Sequence, residues 1–196
     1  AGWDISRAEE NYQTLVKMGE GIEVPEGSES DKPYSKFMAI YAAMCRLHMK
    51  TFGTTQRQIA AVCAKNHTHS VHNPWSQFRK PFTIDEVLAS PPITYPITLP
   101  MCAPLSDGAA AAILCTEEGL KRIGADKSRC IKISASVLRS FSPRRIDQPE
   151  LHVGRLAAQQ AYEIAGLGPQ DMHVADVHDA SAMGEIIQAE NLGLVE

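Results

Sequence analysis

A turn that runs directly into alanine is the feature of this sequence that most limits its fold. Asp107-Gly108 is followed by four alanines at 109–112 and by two branched apolar residues at 113–114. Small side chains let another backbone approach closely, and exposing such an apolar run to water is unfavourable. The stretch predicts a buried element of an α/β core, which we assign as a strand over Gly108–Cys115.

Composition excludes several classes of protein. The chain has 196 residues and a formal net charge of −4, and its basic residues are scattered, so a nucleic-acid surface is not expected. No apolar run approaches the roughly 20 residues of a membrane span. The five cysteines are odd in number and irregularly spaced, which predicts neither a disulfide framework nor a CxxC metal pair and favours a reducing compartment.

The two ends of the sequence do not look like those of a complete protein. Ala1-Gly2-Trp3 carries no initiator methionine and no signal-peptide pattern. An amphipathic helical pattern over residues 185–193 stops just before the last residue. We therefore expect this chain to be a piece of something longer.

Periodicity and turn signals divide the chain into a helical first half and a strand–helix second half. Helices are predicted at these positions: 6–18, 34–52 ending at Gly53, 55–65 and 83–90 opening with capping boxes, 116–123 followed by Gly124, 156–165 followed by Gly166, and from about 182. Strands are predicted at 93–99, 108–115, 130–138 and 172–177. Alternation of strands with helices is typical of a layered α/β sheet. No GxGxxG or GxxxxGK phosphate loop is present.

Two clusters of polar residues are candidates for a functional site. His67, His69 and His72 invite a zinc interpretation, but no further ligands stand at zinc spacing, so we expect a polar loop and no metal. His178-Asp179 follows a predicted strand and precedes a helix, the position where α/β folds bind ligands. A histidine there can donate to a developing oxyanion or accept a proton, although the pair could also simply cap the next helix.

Three sequence blocks resemble a thiolase, specifically the sterol-carrier-protein-type branch. They are NHTHSVHNPWSQF at 66–78, CAPLSDGAAAA at 102–112, and VHDAS at 177–181 followed by ENLGL at 190–194. They occur in the family's order and at about its spacing. The resemblance implies an αβαβα layered α/β fold of two similar halves, present here only in part.

On this resemblance the chain divides into three regions. Residues 1–98 would be the loop domain of the first half, 99–128 the last strand and helix of that half, and 129–196 the beginning of the second half. The helices and strands predicted from periodicity agree with this order, because irregular and helical segments come first and sheet-like segments follow.

The resemblance also implies a chemistry. Thiolases make or cleave the carbon–carbon bond of 3-oxoacyl-CoA thioesters, using a nucleophilic cysteine, a second acid–base cysteine and donors for the substrate oxygen. His178 would be the catalytic oxyanion residue, and Arg79 would bind the adenine end of coenzyme A. Ala103, Pro104 and Leu105 would lie beside the pantetheine arm. None of the five cysteines stands in a family cysteine motif, so the nucleophile is expected outside this chain, and the chain alone is expected to be inactive. Cys102, Cys115 and Cys130 are expected to pack as small buried hydrophobes.

One departure from the family pattern keeps other functions open. Ala180-Ser181 replaces the Cys-Phe pair that usually follows His-Asp in this branch, which alters the wall beside the acyl group. A thiolase-fold aldolase that cleaves a β-hydroxyacyl-CoA of a steroid side chain is one alternative. A non-catalytic scaffold that binds acyl-CoA or a partner subunit is another.

Partners and location follow from the resemblance as expectations. Coenzyme A or acyl-CoA is the expected substrate, with no metal. Assembly is expected as a homo-oligomer, a dimer or tetramer, with a small partner subunit as a further possibility, and without nucleic acid or a membrane span. The expected location is the cytoplasm, or the peroxisome in a eukaryote.

Overall fold

The computed structural model describes residues 5–140 and 148–195, so the terminal pattern Ala1-Gly2-Trp3 lies outside the described residues. The helices are α1 (Ala8–Lys17), α2 (Lys36–Phe52), α3 (Gln56–Ser70), α4 (Ile84–Leu88), α5 (Glu117–Arg122), α6 (Val153–Ala165) and α7 (Ala182–Asn191). The strands are β1 (Pro92–Thr94) and β2 (Ile97–Thr98). Single 3-10 turns are found at Ile5–Arg7, Leu99–Met101, Lys127–Arg129, Pro149–Leu151 and Pro169–Asp171.

Most helix ends lie close to their predicted positions, because their signals are local, although α6 begins three residues earlier than predicted. Thr55 Oγ1 accepts from the backbone N–H of Gln58, whose side chain accepts from the Thr55 N–H, so the predicted capping box forms. Thr83 and Glu86 close α4 in the same way. Gly53 ends α2 at φ 74°, a left-handed conformation that favours glycine.

Helix α3 is longer than predicted. It continues to Ser70, whereas the sequence indicated an end at Lys65. No proline or glycine follows until Pro74, so nothing local stops the helix earlier. The consequence is that Asn66, His67 and His69 lie on a helix, and the predicted polar loop begins only at Val71.

The core forms where α3 packs between α4 and α7. Its fully buried side chains include Ile59 of α3, Val87 of α4, Ile97 of β2 and Met183 of α7. Burying each large side chain of this kind contributes about 1.5–3 kcal/mol. Helix α2 adds Ala42 and Cys45 to the same cluster, and partly buried apolar side chains pack around it.

Helix α7 is held at its last turn by two histidines from other elements. His48 of α2 pairs through Nε2 with Glu190 Oε1 at 3.0 Å and through Nδ1 with Thr54 Oγ1 at 2.7 Å. The side chain of Asn191 donates to His152 Nδ1 at 3.0 Å. These contacts fix the end of α7 against α2 and the start of α6.

The predicted strand at 93–99 is a tight antiparallel hairpin instead. Pro92 pairs with Thr98 and Thr94 pairs with Ile97, so the chain reverses at Tyr95-Pro96. Alternation alone could not reveal the reversal, since both arms keep buried residues at Thr94 and Ile97. This two-stranded sheet is the one found among the described residues.

Three other predicted strands are not formed within the described part of the chain. Residues 108–115, 130–138 and 172–177 carry neither helix nor strand, and most of their side chains are exposed. Ile113 is 85% exposed, Ile131 91% and Val174 88%. Apolar periodicity indicates a face that can be buried, but a strand also needs a hydrogen-bonded neighbour, and no described segment supplies one. No described helix is both long and apolar enough to cross a membrane.

Candidate functional site

Two of the sequence blocks meet at the turn that precedes α7. The backbone N–H of Ala103 donates to the carbonyl of Ala180 at 3.1 Å, and Cys102 forms an isolated antiparallel bridge with Ser181. These backbone contacts bring residues 102–105, called the CAPL segment below, beside His178-Asp179, although the two segments are far apart in sequence. The turn over residues 178–181 is called the His-Asp turn below.

A pocket of about 190 Å³ lies where the His-Asp turn faces α3. Its walls include Cys63, Asn66 and His67 of α3, the segment 102–104, and Asp179. Ala103 and Pro104 are therefore part of the wall, and their place beside a pantetheine arm stays a prediction. The pocket offers carbonyl, carboxyl, amide and thiol groups to a bound molecule.

A cluster of acid, amide and ammonium groups adjoins this pocket, and its members Asn66 and Asp179 line the wall. The Asn66 Nδ2 group donates to Asp179 Oδ2 at 3.1 Å and to Glu185 Oε2 at 2.9 Å. Lys65 Nζ donates to the other oxygen of Glu185 at 2.5 Å. Burial raises the pKa of Asp179 above its ordinary value, and the neighbouring Glu185 carboxylate raises it further.

The first turn of α7 supports the His-Asp turn through a glycine. A Cβ at Gly184 would lie 3.1 Å from Asp179 Cα and 3.2 Å from the His178 carbonyl oxygen. That approach is closer than ordinary side-chain contacts allow, so a glycine at this position lets α7 pack directly on the turn.

The thiols near the pocket are poor nucleophiles. Burial raises the pKa of Cys63 to about 11 and that of Cys102 to about 11. A thiol with so high a pKa is protonated at neutral pH, and the thiolate is the reactive form. Cys102 is half-buried, but Cys115 and Cys130 are exposed, so the expectation that all three pack as buried hydrophobes is wrong for the last two.

The predicted site residues are only partly brought together. His178 is exposed on the His-Asp turn, and its ring makes no hydrogen bond to the described residues. Leu105 follows the pocket wall and is 98% exposed. Arg79 is exposed beyond the end of α3, where it donates to the Val71 carbonyl at 3.4 Å, and it does not line the pocket.

Sequence reasoning missed the groups that α3 contributes. Asn66 and His67 lie in the histidine-rich block, which marks them as unusual, but the block was interpreted as a loop. His67 instead points across the helix packing, with Nε2 3.4 Å from the Pro100 carbonyl and its ring 4.8 Å from that of Phe82. Among residues 5–140 and 148–195, no group of three or more metal-ligating side chains is placed to hold a metal ion.

A family model matches the end of the chain. Residues 141–196 match the model described as thiolase C-terminal domain-like. The His-Asp turn and α7 lie inside this range.

Curated relatives extend the similarity over most of the chain. Sterol carrier protein 2 of Oryctolagus cuniculus is 39% identical over 153 residues, which is 75% of this chain and 28% of the relative. The benzoylsuccinyl-CoA thiolase subunit BbsB of Thauera aromatica is 34% identical over 79% of this chain and 40% of its own length. An acetyl-CoA acetyltransferase of Methanothermobacter thermautotrophicus is 36% identical over 82% of this chain and 42% of its own length.

The match therefore spans between 28% and 42% of the length of these relatives. It confirms the predicted thiolase-like α/β class, in a structure whose described residues form helices around a small sheet. On these similarities, the chain belongs to the thiolase superfamily.

Proposed function

We propose that this chain is part of a coenzyme A-dependent acyltransferase that makes or cleaves the carbon–carbon bond of 3-oxoacyl-CoA thioesters. The observation that carries the proposal is the backbone pairing of Ala103 with Ala180, which sets the His-Asp turn beside the CAPL wall of one pocket. The thiolase and acetyltransferase names of the relatives support the same reaction class.

His178 is the proposed donor for the oxygen that gains charge in the reaction. When the bond between the α- and β-carbons breaks, its electron pair moves into the released acyl thioester, whose carbonyl oxygen becomes negative as an enolate. A ring N–H aimed at that oxygen lowers the barrier, because it interacts more strongly with the enolate than with the neutral thioester. His178 does not itself line the pocket, but it is exposed and directly precedes Asp179, which does.

The nucleophile is proposed to come from a part of the enzyme outside these residues. Cys63 and Cys102 lie at the pocket, yet the pKa of each is raised to about 11 by burial, so neither is a thiolate at neutral pH. In this proposal the present chain supplies the oxyanion donor and a substrate-binding wall.

Replacing His178 tests the catalytic role. In the full-length protein, His178→Ala is expected to lower kcat for thiolysis of acetoacetyl-CoA by about 100-fold or more, because an oxyanion donor is lost. The matched control is His173→Ala, an exposed histidine in the preceding segment, which should leave kcat unchanged. A kcat for His178→Ala close to that of the native enzyme would reject the assignment.

Arg79 is the proposed contact for the nucleotide end of coenzyme A. Its exposed guanidinium lies away from the pocket, where it could meet the nucleotide end of a long ligand. Its one hydrogen bond among the described residues is a long one to the Val71 carbonyl oxygen. Arg79→Ala should weaken coenzyme A binding about 10-fold in calorimetry while leaving kcat nearly unchanged. Arg57→Ala, which removes an exposed arginine paired with Asp85, is the control. Equal affinities for the native and Arg79→Ala proteins would contradict the proposal.

A second candidate function rests on the small residues of the His-Asp turn. Ser181 Oγ is buried and has no hydrogen-bond partner among the described residues, and Ala180 adds little bulk. A retro-aldol enzyme would split a β-hydroxyacyl-CoA into a carbonyl compound and a shorter acyl-CoA without a thiolate nucleophile. Release of a ketone from a steroid β-hydroxyacyl-CoA, with no consumption of free coenzyme A, would identify this activity.

A further inference from the structure

The Asn66 side chain joins three elements at one point. It lies on α3, within the NHTH block that the proposed reaction leaves without a role. Its single amide nitrogen serves both Asp179 of the His-Asp turn and Glu185 of α7, which are 113 and 119 residues away in sequence. A neutral donor between two carboxyl groups reduces their repulsion without adding a charge of its own.

The two carboxyl groups are not equivalent. Glu185 accepts a hydrogen bond from Lys65 on Oε1 and one from Asn66 on Oε2, so its negative charge is compensated on both oxygens. Apart from its own backbone N–H, Asp179 accepts only from Asn66 among the described residues, on Oδ2, and it lines the pocket. Asp179 is therefore the member of the cluster whose position depends most on the Asn66 amide.

The backbone of the His-Asp turn is held on two other sides. Gly184 packs against Asp179 Cα and the His178 carbonyl, and Ala180 accepts from the Ala103 N–H. Both of these contacts restrain main-chain atoms. The bond from Asn66 to Asp179 is the contact that restrains a side chain of the turn from the α3 side, next to His178.

We propose that Asn66 is a positioning residue, which holds the His-Asp turn against α3 and so fixes the place of His178 beside Asp179 of the pocket wall. This inference rests on the proposed role of His178. It assigns a function to the asparagine of the histidine-rich block, whose neighbours His67 and Lys65 face the pocket wall and Glu185.

A double-mutant cycle with His178 tests the proposal in the full-length protein. Asn66→Ala is expected to lower kcat for acetoacetyl-CoA thiolysis about 10- to 100-fold, because a misplaced catalytic group loses its alignment. KM for coenzyme A should change by less than about 2-fold. In a His178→Ala background the same substitution should change kcat by less than about 2-fold, because the group that it positions is already gone.

The outcomes separate this proposal from the proposed function. If His178→Ala leaves kcat unchanged, the assigned role of His178 fails and the positioning role fails with it. If His178→Ala lowers kcat but Asn66→Ala does not, or if the two losses multiply, only the positioning role fails. A rise in KM with native kcat would overturn it too, since Asn66 would then bind substrate. His69→Ala, an exposed change on the same helix, is the control and should match the native enzyme.

Asp179→Ala is a second variant, for use if Asn66→Ala does not fold. It removes the acceptor of the Asn66 amide on the His-Asp turn and leaves the bond from Asn66 to Glu185 in place. If Asn66 acts through this bond, kcat should fall about 10- to 100-fold, and in a His178→Ala background the same substitution should change kcat by less than about 2-fold. A native kcat for Asp179→Ala, or a loss that multiplies with that of His178→Ala, would overturn the proposal.

Discussion

Five cysteines of one chain experience very different surroundings, and their chemistry differs accordingly. Cys45 is fully buried and its pKa is raised strongly by burial, while the pKa of Cys63 and of Cys102 is raised to about 11. Cys115 and Cys130 are exposed. At the scale of the residue, reactivity therefore depends on neighbours that the sequence does not display, which is why burial of Cys115 and Cys130 was wrongly expected.

Alkylation should report these differences directly. When the 196-residue chain is treated with iodoacetamide at pH 8, Cys115 and Cys130 are expected to react at least about 10-fold faster than Cys63 and Cys102, since a raised pKa leaves less thiolate at that pH. Raising the pH toward 11 should reduce the difference in alkylation rate between the exposed and the pocket cysteines. Mass spectrometry of digested samples gives the rate at each cysteine.

The unfolded chain provides the control for this prediction. In concentrated urea all five cysteines should react at similar rates, because burial no longer distinguishes them. Labelling of Cys63 as fast as Cys115 in the folded chain would show that the pocket thiol is not shielded.

At the scale of the element, local sequence signals are sufficient to predict the helices and insufficient to predict the strands. Capping boxes at Thr55 and Thr83 and the terminal glycines Gly53 and Gly166 act within one turn, so they could be interpreted correctly from the sequence. A strand depends on a partner elsewhere in the chain. The segment 108–115 has the composition of a buried strand, yet it lies exposed without a neighbour among the described residues.

The cap of α3 should contribute measurably to stability. Thr55→Ala removes the acceptor for the Gln58 N–H, and it is expected to lower the free energy of unfolding by about 1 kcal/mol. Thr51→Ala, an exposed change within α2, is the matched control and should be neutral or slightly stabilising, because alanine is the better helix former. Urea unfolding followed by circular dichroism measures both, and equal midpoints would argue against a stabilising cap.

At the scale of the whole molecule, the family and the order of its blocks could be predicted, but the contacts between distant elements could not. The resemblance predicted the separate roles of the two segments, but the Ala103–Ala180 hydrogen bond that joins them is visible only in the structure. The Asn66 cluster was not foreseen, since it exists only because α3 continues past Lys65 and packs against α7. No local pattern encodes the meeting of residues more than a hundred positions apart.

Helix α7 connects the pocket to a distant clamp. Its ten residues span about 15 Å as an α-helix, with Gly184 packed under the His-Asp turn at one end and Glu190 and Asn191 gripped by His48 and His152 at the other. Because α7 is held at both ends, we expect the position of the His-Asp turn to depend partly on how α2 and α6 pack against the far end of the helix. A substitution at His48 should then affect the site although His48 does not line the pocket.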